Sequence, residues 1–153
     1  MSFHIAPGLP EPVRQQAAAV YWQAFGGKLG RVMGPRPKAL AYLDRVIRAD
    51  HSICALDDDG ALLGVAGFKT PHGAFADGTL RDLQVVYGLS GGLWRASVLW
   101  LLQREVDNAR FLVDGICVTR AARGRGVGTA LIAAICDEAR ARGYPAVRLD
   151  VVD

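Results

Sequence analysis

A loop near the C-terminal end of the chain combines glycine and arginine in a way that suits phosphate binding. Residues 123–128 read RGRGVG; they follow the apolar run RFLVDGICVT and precede apolar residues at helical spacing. Glycines let backbone N–H groups approach a ligand closely, and a helix N-terminus behind them favours an anion. The pattern therefore predicts a strand, a phosphate-binding loop and a helix.

Two common glycine motifs do not fit this loop. The dinucleotide-binding pattern requires Gly or Ala at a third position, which neither Gly124 nor Gly126 finds, and no Gly-Lys-Ser/Thr follows as in a P-loop. A plain glycine turn between strand and helix is the structural alternative. A nucleic-acid-binding protein that uses Arg123 and Arg125 is a further alternative, which we do not favour because the excess of 18 Lys and Arg over 15 Asp and Glu is small.

The motif that fits is Arg-x-x-Gly-x-Gly, present as Arg123, Gly126 and Gly128 after a strand that ends at residues 116–118. It resembles the acetyl-CoA signature of the GNAT superfamily of N-acetyltransferases, closely over residues 110–152 and more loosely upstream. The resemblance implies a single acyl-CoA N-acyltransferase domain over residues 1–153. It also implies an α+β fold (α/β by some schemes) in which helices flank a mixed, mainly antiparallel sheet.

The resemblance assigns a role to each position of the motif. Backbone amides of the loop would bind the pyrophosphate of coenzyme A, with the two arginines compensating charge, and the strand would offer its backbone to the pantetheine arm. The expected cofactor-binding residues are Ile116, Cys117, Val118, Arg123, Gly124, Arg125, Gly126, Val127, Gly128 and Thr129. Acetyl-CoA is then the acyl donor.

Direct transfer to an amine requires a neutral amine, and hence a base. Asp114 is the candidate, because strand alternation predicts one shared, otherwise apolar face for Leu112, Asp114, Ile116 and Val118. A solvated strand residue or a loop cap is the alternative for this aspartate. Cys117 could be read as a nucleophile, but no histidine is near it in sequence and a small apolar strand residue is the favoured reading.

The elements around this unit follow from periodicity and turn residues. We expect a strand at 3–6, a helix at 12–25 that ends at Gly26, a loop at 27–37, and a helix that restarts at Pro37. A hairpin turning at residues 57–60, an irregular segment at 71–92, and a helix at 93–109 follow. The predicted buried face of that last helix is Leu93, Val98, Leu101 and Leu102.

The three cysteines lie far apart and form no metal-binding pattern, so no metal is expected. The N-terminal residues do not resemble a signal peptide, and charges or glycines interrupt each long apolar stretch. We therefore expect a cytoplasmic protein with neither membrane nor nucleic acid as partner.

The final segment, residues 145–152, alternates as a half-buried strand, after which the family pattern continues with elements not found here. We expect a domain that is incomplete at its C-terminus, with this strand able to pair with a second copy of the chain. The expected function is transfer of an acetyl group to a primary amine of a small-molecule or peptide acceptor. A coenzyme A-binding module without turnover is the alternative.

Overall fold

The computed structural model describes residues 2–103 and 111–149, and in these ranges a mostly antiparallel sheet is flanked by helices. The strands are β1 (Phe3–Pro7), β2 (Ser52–Asp57), β3 (Leu62–Thr70), β4 (Gly73–Ala74), β5 (Phe111–Val118) and β6 (Val147–Leu149). The helices are α1 (Arg14–Met33), α2 (Arg36–Val46), α3 (Leu80–Tyr87), α4 (Leu89–Gln103) and α5 (Val127–Ala141). This confirms the predicted fold class.

The sheet order is β1-β2-β3-β5-β6, with the short β4 paired to β3. Each pair is antiparallel except β5 with β6, which is parallel. The predicted hairpin is β2–β3, and its turn contains Gly60 at φ 83°. One apolar cluster separates the sheet from α1 and α2, and another separates its opposite face from α5.

The predicted end of the first helix at Gly26 is wrong. α1 continues through both glycines to Met33, and residues 27–33, which we expected to form a loop, are helical. Glycine costs about 1 kcal/mol in a helix interior, but here the ring of Trp22 lies over Gly26, where an added Cβ would come within 2.9 Å of it. The helix ends instead before the Gly34-Pro35 pair, and α2 carries Pro37 in its first turn as predicted.

The segment expected to be irregular, residues 71–92, contains β4, all of α3 and the start of α4. Thr79 begins α3 through a capping box, because its hydroxyl accepts from the Asp82 N–H while the Asp82 carboxylate accepts from the Thr79 N–H at 2.8 Å. The sequence analysis missed this eight-residue helix because glycines lie at both of its ends and indicated an irregular segment. Thr-x-x-Asp is nevertheless a known signal for the start of a helix.

The buried face predicted for the helix at 93–109 is wrong at Leu93 and Leu101, whereas Val98 is half-buried. Leu93 and Leu101 are 56% and 60% exposed, whereas Ala96 and Leu99 pack against the cluster formed by α2 and α3. The helix therefore packs through Ala96 and Leu99 rather than through Leu93 and Leu101. The side chain of Leu102 lies outside the described residues.

The final strand is described only as Val147–Leu149, which pairs with Phe111–Val113. Residues 150–152 lie outside the described part of the chain, so pairing of this edge with a second copy stays a prediction. Within the described ranges, no helix combines the length and the hydropathy needed to cross a bilayer.

Candidate active site

The glycine-rich loop leads directly into the N-terminus of α5. Gly124 and Gly126 adopt φ values of 77° and 82°, and Gly126 is the residue that precedes the helix. A Cβ added at either glycine would meet nothing within 4 Å, so the space beside the loop is open to a ligand. The first-turn amides of residues 127–129 have no partner within their own helix by geometry, and Ala130 is the first to bond back, to Gly126 at 3.0 Å.

A cavity of about 240 Å³ joins this loop to β5 and α1. Ile116, Cys117, Val118 and Arg123 line it from the β5 and loop side, while Val20, Gln23 and Ala24 of α1 close the other side. Four of the residues expected to bind the cofactor are thus brought together around one space.

The backbone of β5 is paired differently along its two edges. Residues 116–118 pair with Gly64–Ala66 of β3, whereas the described residues of β6 pair only with Phe111–Val113. Within the described ranges, the β6-side edge from Asp114 to Val118 therefore has no strand partner. An extended ligand could add to such an edge as a strand would.

Asp114 lies on a different face from the one that alternation predicts. Opposite β5, Gly67 pairs with Gly115 and Phe68 pairs with Val113, so Asp114 is an extra residue in a β-bulge. A bulge shifts the alternation by one residue. Ile116 and Val118 consequently pack in the α5-side cluster, whereas Asp114 faces the side of α1 and α2, where it accepts a bond from Phe75 and lines a cavity with Tyr21.

The surroundings of Asp114 disfavour its charged form. Burial raises the pKa of this carboxyl above its ordinary value, and the nearby Asp77 adds to the rise. The Phe75 N–H, which donates to Asp114 Oδ2 at 3.2 Å, together with the charges of Lys69 and His51, offsets part of that rise in pKa. A carboxylate with a raised pKa is a better proton acceptor near neutral pH than an exposed one.

Asp114 opens into a second cavity, of about 250 Å³. Most of the cavity wall is apolar or aromatic, including Tyr21, Trp22, Met33, Tyr42, Leu43 and Leu99, while Lys69 supplies a second charged side chain. Tyr21 stays neutral because burial, and then the charge of Asp114, raise the pKa of its phenol. Tyr21 and Lys69 were not foreseen as site residues, although Lys69 stands out in sequence as a charge in the apolar strand LLGVAGFKT.

Gly115 lies between the two cavities along β5. A Cβ at this position would come within 2.7 Å of the Phe25 ring, so glycine lets α1 pack close to the strand here. The Phe25 ring stacks at a tilt on Tyr21, with centroids 4.7 Å apart. The same contact between α1 and β5 therefore shapes both cavities.

A group of ion pairs holds the segment that supplies the Phe75 N–H. The Arg48 guanidinium donates to Asp77 at 2.8 Å and to Asp50 at 2.6 Å, and the Arg48 backbone N–H donates to the Phe75 carbonyl at 2.8 Å. Asp77 also donates its backbone N–H to Val46. These bonds attach residues 75–77 to the end of α2, and so position the donor that meets Asp114.

Cys117 is unsuited to act as a nucleophile. Its side chain is buried, and burial raises the pKa of the thiol to about 12, so the reactive thiolate is scarce near neutral pH. This supports the reading of Cys117 as a small apolar strand residue whose backbone is the functional part.

Several solved structures that share the fold of this chain are structures of acetyltransferases. One is AAC(6')-Iy in complex with the bisubstrate analog CoA-S-monomethyl-acetylneamine, with 19% identity, a TM-score of 0.58, and coverage of 99% of this chain and 81% of that one. Another is a ribosomal-protein-alanine N-acetyltransferase from Brucella melitensis biovar Abortus 2308, with 19% identity, a TM-score of 0.57, and the same coverage.

A third, described as histone acetyltransferase HPA2 and related acetyltransferase, comes from Corynebacterium glutamicum ATCC 13032. It is 19% identical with a TM-score of 0.61, and the match covers 100% of this chain and 78% of that one. At these identities the likeness shows the fold alone. No curated protein matches the sequence at a significant level.

The sequence profile of the acetyltransferase (GNAT) family matches residues 15–153, which is most of the chain and includes the loop, β5 and both cavities described above. The chain belongs to the GNAT family of acetyltransferases.

Proposed function

We propose that this protein transfers an acetyl group from acetyl-CoA directly to a primary amine, with Asp114 as the base. The observation that carries the proposal is the arrangement along β5. Residues 116–118 line one cavity with Arg123, and Asp114, two positions before them, lines the other. Donor and acceptor can thus meet at one strand.

The loop side suits coenzyme A. Open space at Gly124 and Gly126, the first-turn amides of α5, which bond to no carbonyl of their own helix, and the half-exposed Arg125 form a surface on which a pyrophosphate can lie. Arg123 is exposed and reaches the cavity beside β5. When bound, acetyl-CoA would supply an activated acetyl thioester.

The Asp114 side suits the acceptor. An amine arrives at neutral pH as an ammonium ion, and the Asp114 carboxylate can take its proton, leaving the nitrogen lone pair free to form the C–N bond of the product amide. The thioester C–S bond breaks in the same transfer, and coenzyme A leaves as a thiolate that takes up the second proton lost by the nitrogen. Tyr21, which stays neutral, can donate a hydrogen bond within the same cavity. The proton on Asp114 then leaves through the larger adjoining cavity, of about 600 Å³, which shares Tyr42 and Lys69 with the inner one.

Two measurements test the proposal. Thermal shift with coenzyme A and with acetyl-CoA should show stabilisation, about 2.7 kcal/mol at one hundred times the dissociation constant. Thiol release from acetyl-CoA should then depend on an added primary amine. Binding without amine-dependent thiol release across a broad amine panel would favour the non-catalytic coenzyme A-binding module, and the absence of both would overturn the proposal.

A further inference from the structure

Lys69 has a position that base catalysis at Asp114 does not explain. It lies near the end of β3, pairs with Leu112 of β5 and Ala74 of β4, and lines both the inner and the outer cavity. Its side chain makes no hydrogen bond or ion pair with any described residue, although its charge acts on Asp114. The side chain of half-buried Lys69, which has no bonding partner among the residues that the structure describes, suits an anionic group of a ligand in the cavity wall.

The inner cavity offers little else that is polar. Apart from Lys69, Asp114 and the tyrosines Tyr21 and Tyr42, its wall consists of apolar side chains, among them Trp22, Met33 and Leu43. Its volume of about 250 Å³ lies below the roughly 300–1,000 Å³ typical of drug-sized ligands. This favours one small molecule with an apolar body over an oligosaccharide.

The charges also argue against a polycationic acceptor. Lys69 would repel a second ammonium group, and the nearest further carboxylate of the outer cavity, Asp77, is already bound by Arg48 at 2.8 Å. One carboxylate and one ammonium group at the cavity wall match a ligand that carries one charge of each sign.

We infer that the acceptor is an amphoteric amine with an apolar side chain, the chemistry of an apolar amino acid such as phenylalanine or leucine. This rests on the proposed function in one respect, namely that the bound amine is the group acetylated. Asp114 binds the ammonium group, Lys69 binds the carboxylate, and the apolar wall at Trp22 and Met33 contacts the side chain. Lys69 is thus the residue that selects for a carboxylate.

The test is a comparison of two ligands that differ only by the carboxylate. L-phenylalanine and phenethylamine are titrated calorimetrically into the wild type, with and without coenzyme A, which carries no acetyl group to transfer. We expect the wild type to bind L-phenylalanine at least about tenfold more tightly, the range of a charge-assisted hydrogen bond. Lys69→Met should lose that preference through weaker L-phenylalanine binding, with phenethylamine unaffected or tighter.

Two controls keep the comparison specific. Lys38→Met removes an exposed lysine of α2 and should leave both affinities unchanged. Lys69→Arg keeps the charge and should retain a preference for L-phenylalanine, which separates loss of charge from loss of fold. Equal affinity of the wild type for both ligands, failure to bind either, or an equal effect of Lys69→Met on both would overturn the inference.

Thiol-release assays on the same two ligands separate this inference from the proposed function. A carboxylate preference in binding, with no acetylation of any amine, would overturn the proposed function and leave the ligand site standing. Acetylation of amines without regard to a carboxylate would support the proposed function and overturn this inference.

Discussion

The backbone N–H of Phe75 donates a hydrogen bond of 3.2 Å to Oδ2 of Asp114, joining two residues 39 positions apart in the chain. Phe75 is buried, and its ring lies 5.2 Å from that of Tyr21, so the donor is fixed by packing. This bond holds the carboxylate in place within the second cavity. A carboxylate has further acceptor positions, and no other described residue donates a hydrogen bond to Asp114, so these positions can accept from a ligand.

Replacing the base should slow turnover without weakening donor binding. Asp114→Asn keeps the size of the side chain and an oxygen that can accept from Phe75, but removes the proton acceptor. We expect kcat to fall by about two to four orders of magnitude, with coenzyme A affinity within a few-fold of the wild type. Steady-state thiol release and calorimetry measure the two quantities.

The pH profile checks the same assignment. In the wild type, the rate should decline as the pH falls through the raised pKa of Asp114, and this acid limb should be absent from the residual activity of Asp114→Asn. A near-normal rate for the variant at neutral pH would mean that another group or water deprotonates the amine.

Asp114→Asn, which should lower the rate, should raise the stability of the folded chain at neutral pH. The pKa of Asp114 is raised in the folded state by burial, so the folded chain binds this proton more tightly than the unfolded chain. Its contribution to stability is therefore fully present below the ordinary pKa of 3.8 and is lost as the pH rises through the raised pKa. We expect Asp114→Asn to unfold at a higher temperature than the wild type at neutral pH.

That difference should shrink as the pH is lowered toward and below 3.8, because the wild-type carboxyl then takes up its proton. Thermal denaturation of both proteins across this range is the measurement. A variant less stable than the wild type at neutral pH would show that the carboxylate is stabilised by its surroundings rather than strained by burial.

Tyr21 should influence catalysis through Asp114. Its phenol stays neutral and its pKa responds to the charge of Asp114, which places the two groups in electrostatic contact. Tyr21→Phe removes a hydroxyl that can stabilise the carboxylate, so the acid limb of the rate should move to higher pH. A net hydrogen bond contributes about 0.5–1.5 kcal/mol, so we expect a loss of roughly two- to tenfold in rate.

Tyr42→Phe is the matched control for this prediction. Tyr42 lines the same cavity, and burial raises the pKa of its phenol to about 12, but the carboxylates that act on it are Asp82 and Asp77 rather than Asp114. Its removal should leave the acid limb where it is. An equal shift in both variants would indicate a general effect of cavity polarity.

Two signals in the sequence, the spacing of apolar residues and the glycines at turns, were enough to predict several elements of the fold. The β2–β3 hairpin and the strand–loop–helix unit that ends in α5 follow from them, whereas the fold class was implied by the resemblance to the GNAT superfamily. The structure confirms each. Where tertiary packing overrides a local signal, prediction failed. Gly26 was read as a helix end, but Trp22 covers it inside α1.

Only those features of the candidate site that depend on a local sequence pattern were predicted from the sequence. The loop at residues 123–129 is a local motif, and its position at the N-terminus of α5 is as expected. The role of Asp114 as the base stays a prediction. Its predicted face, shared with Ile116 and Val118, was wrong because a β-bulge depends on the register with β3, which a single strand does not encode. Lys69 and Tyr21 join the site through pairing and packing between distant segments.

The assignment of the glycine-rich loop to coenzyme A can be tested by two substitutions that strain the backbone equally. Gly126 and Gly143 lie at opposite ends of α5 with φ values of 82° and 83°, and an added Cβ meets nothing within 4 Å at either. Glutamate at either position should cost about 1–2 kcal/mol in a left-handed conformation and lower the melting temperature to a similar extent. Only Gly126→Glu adds negative charge where the pyrophosphate is expected, so calorimetry should show coenzyme A affinity reduced at least about 100-fold, since like charges in contact cost several kcal/mol. Gly143→Glu should bind coenzyme A as the wild type does, and unchanged affinity in both variants would remove the assignment of this loop to coenzyme A.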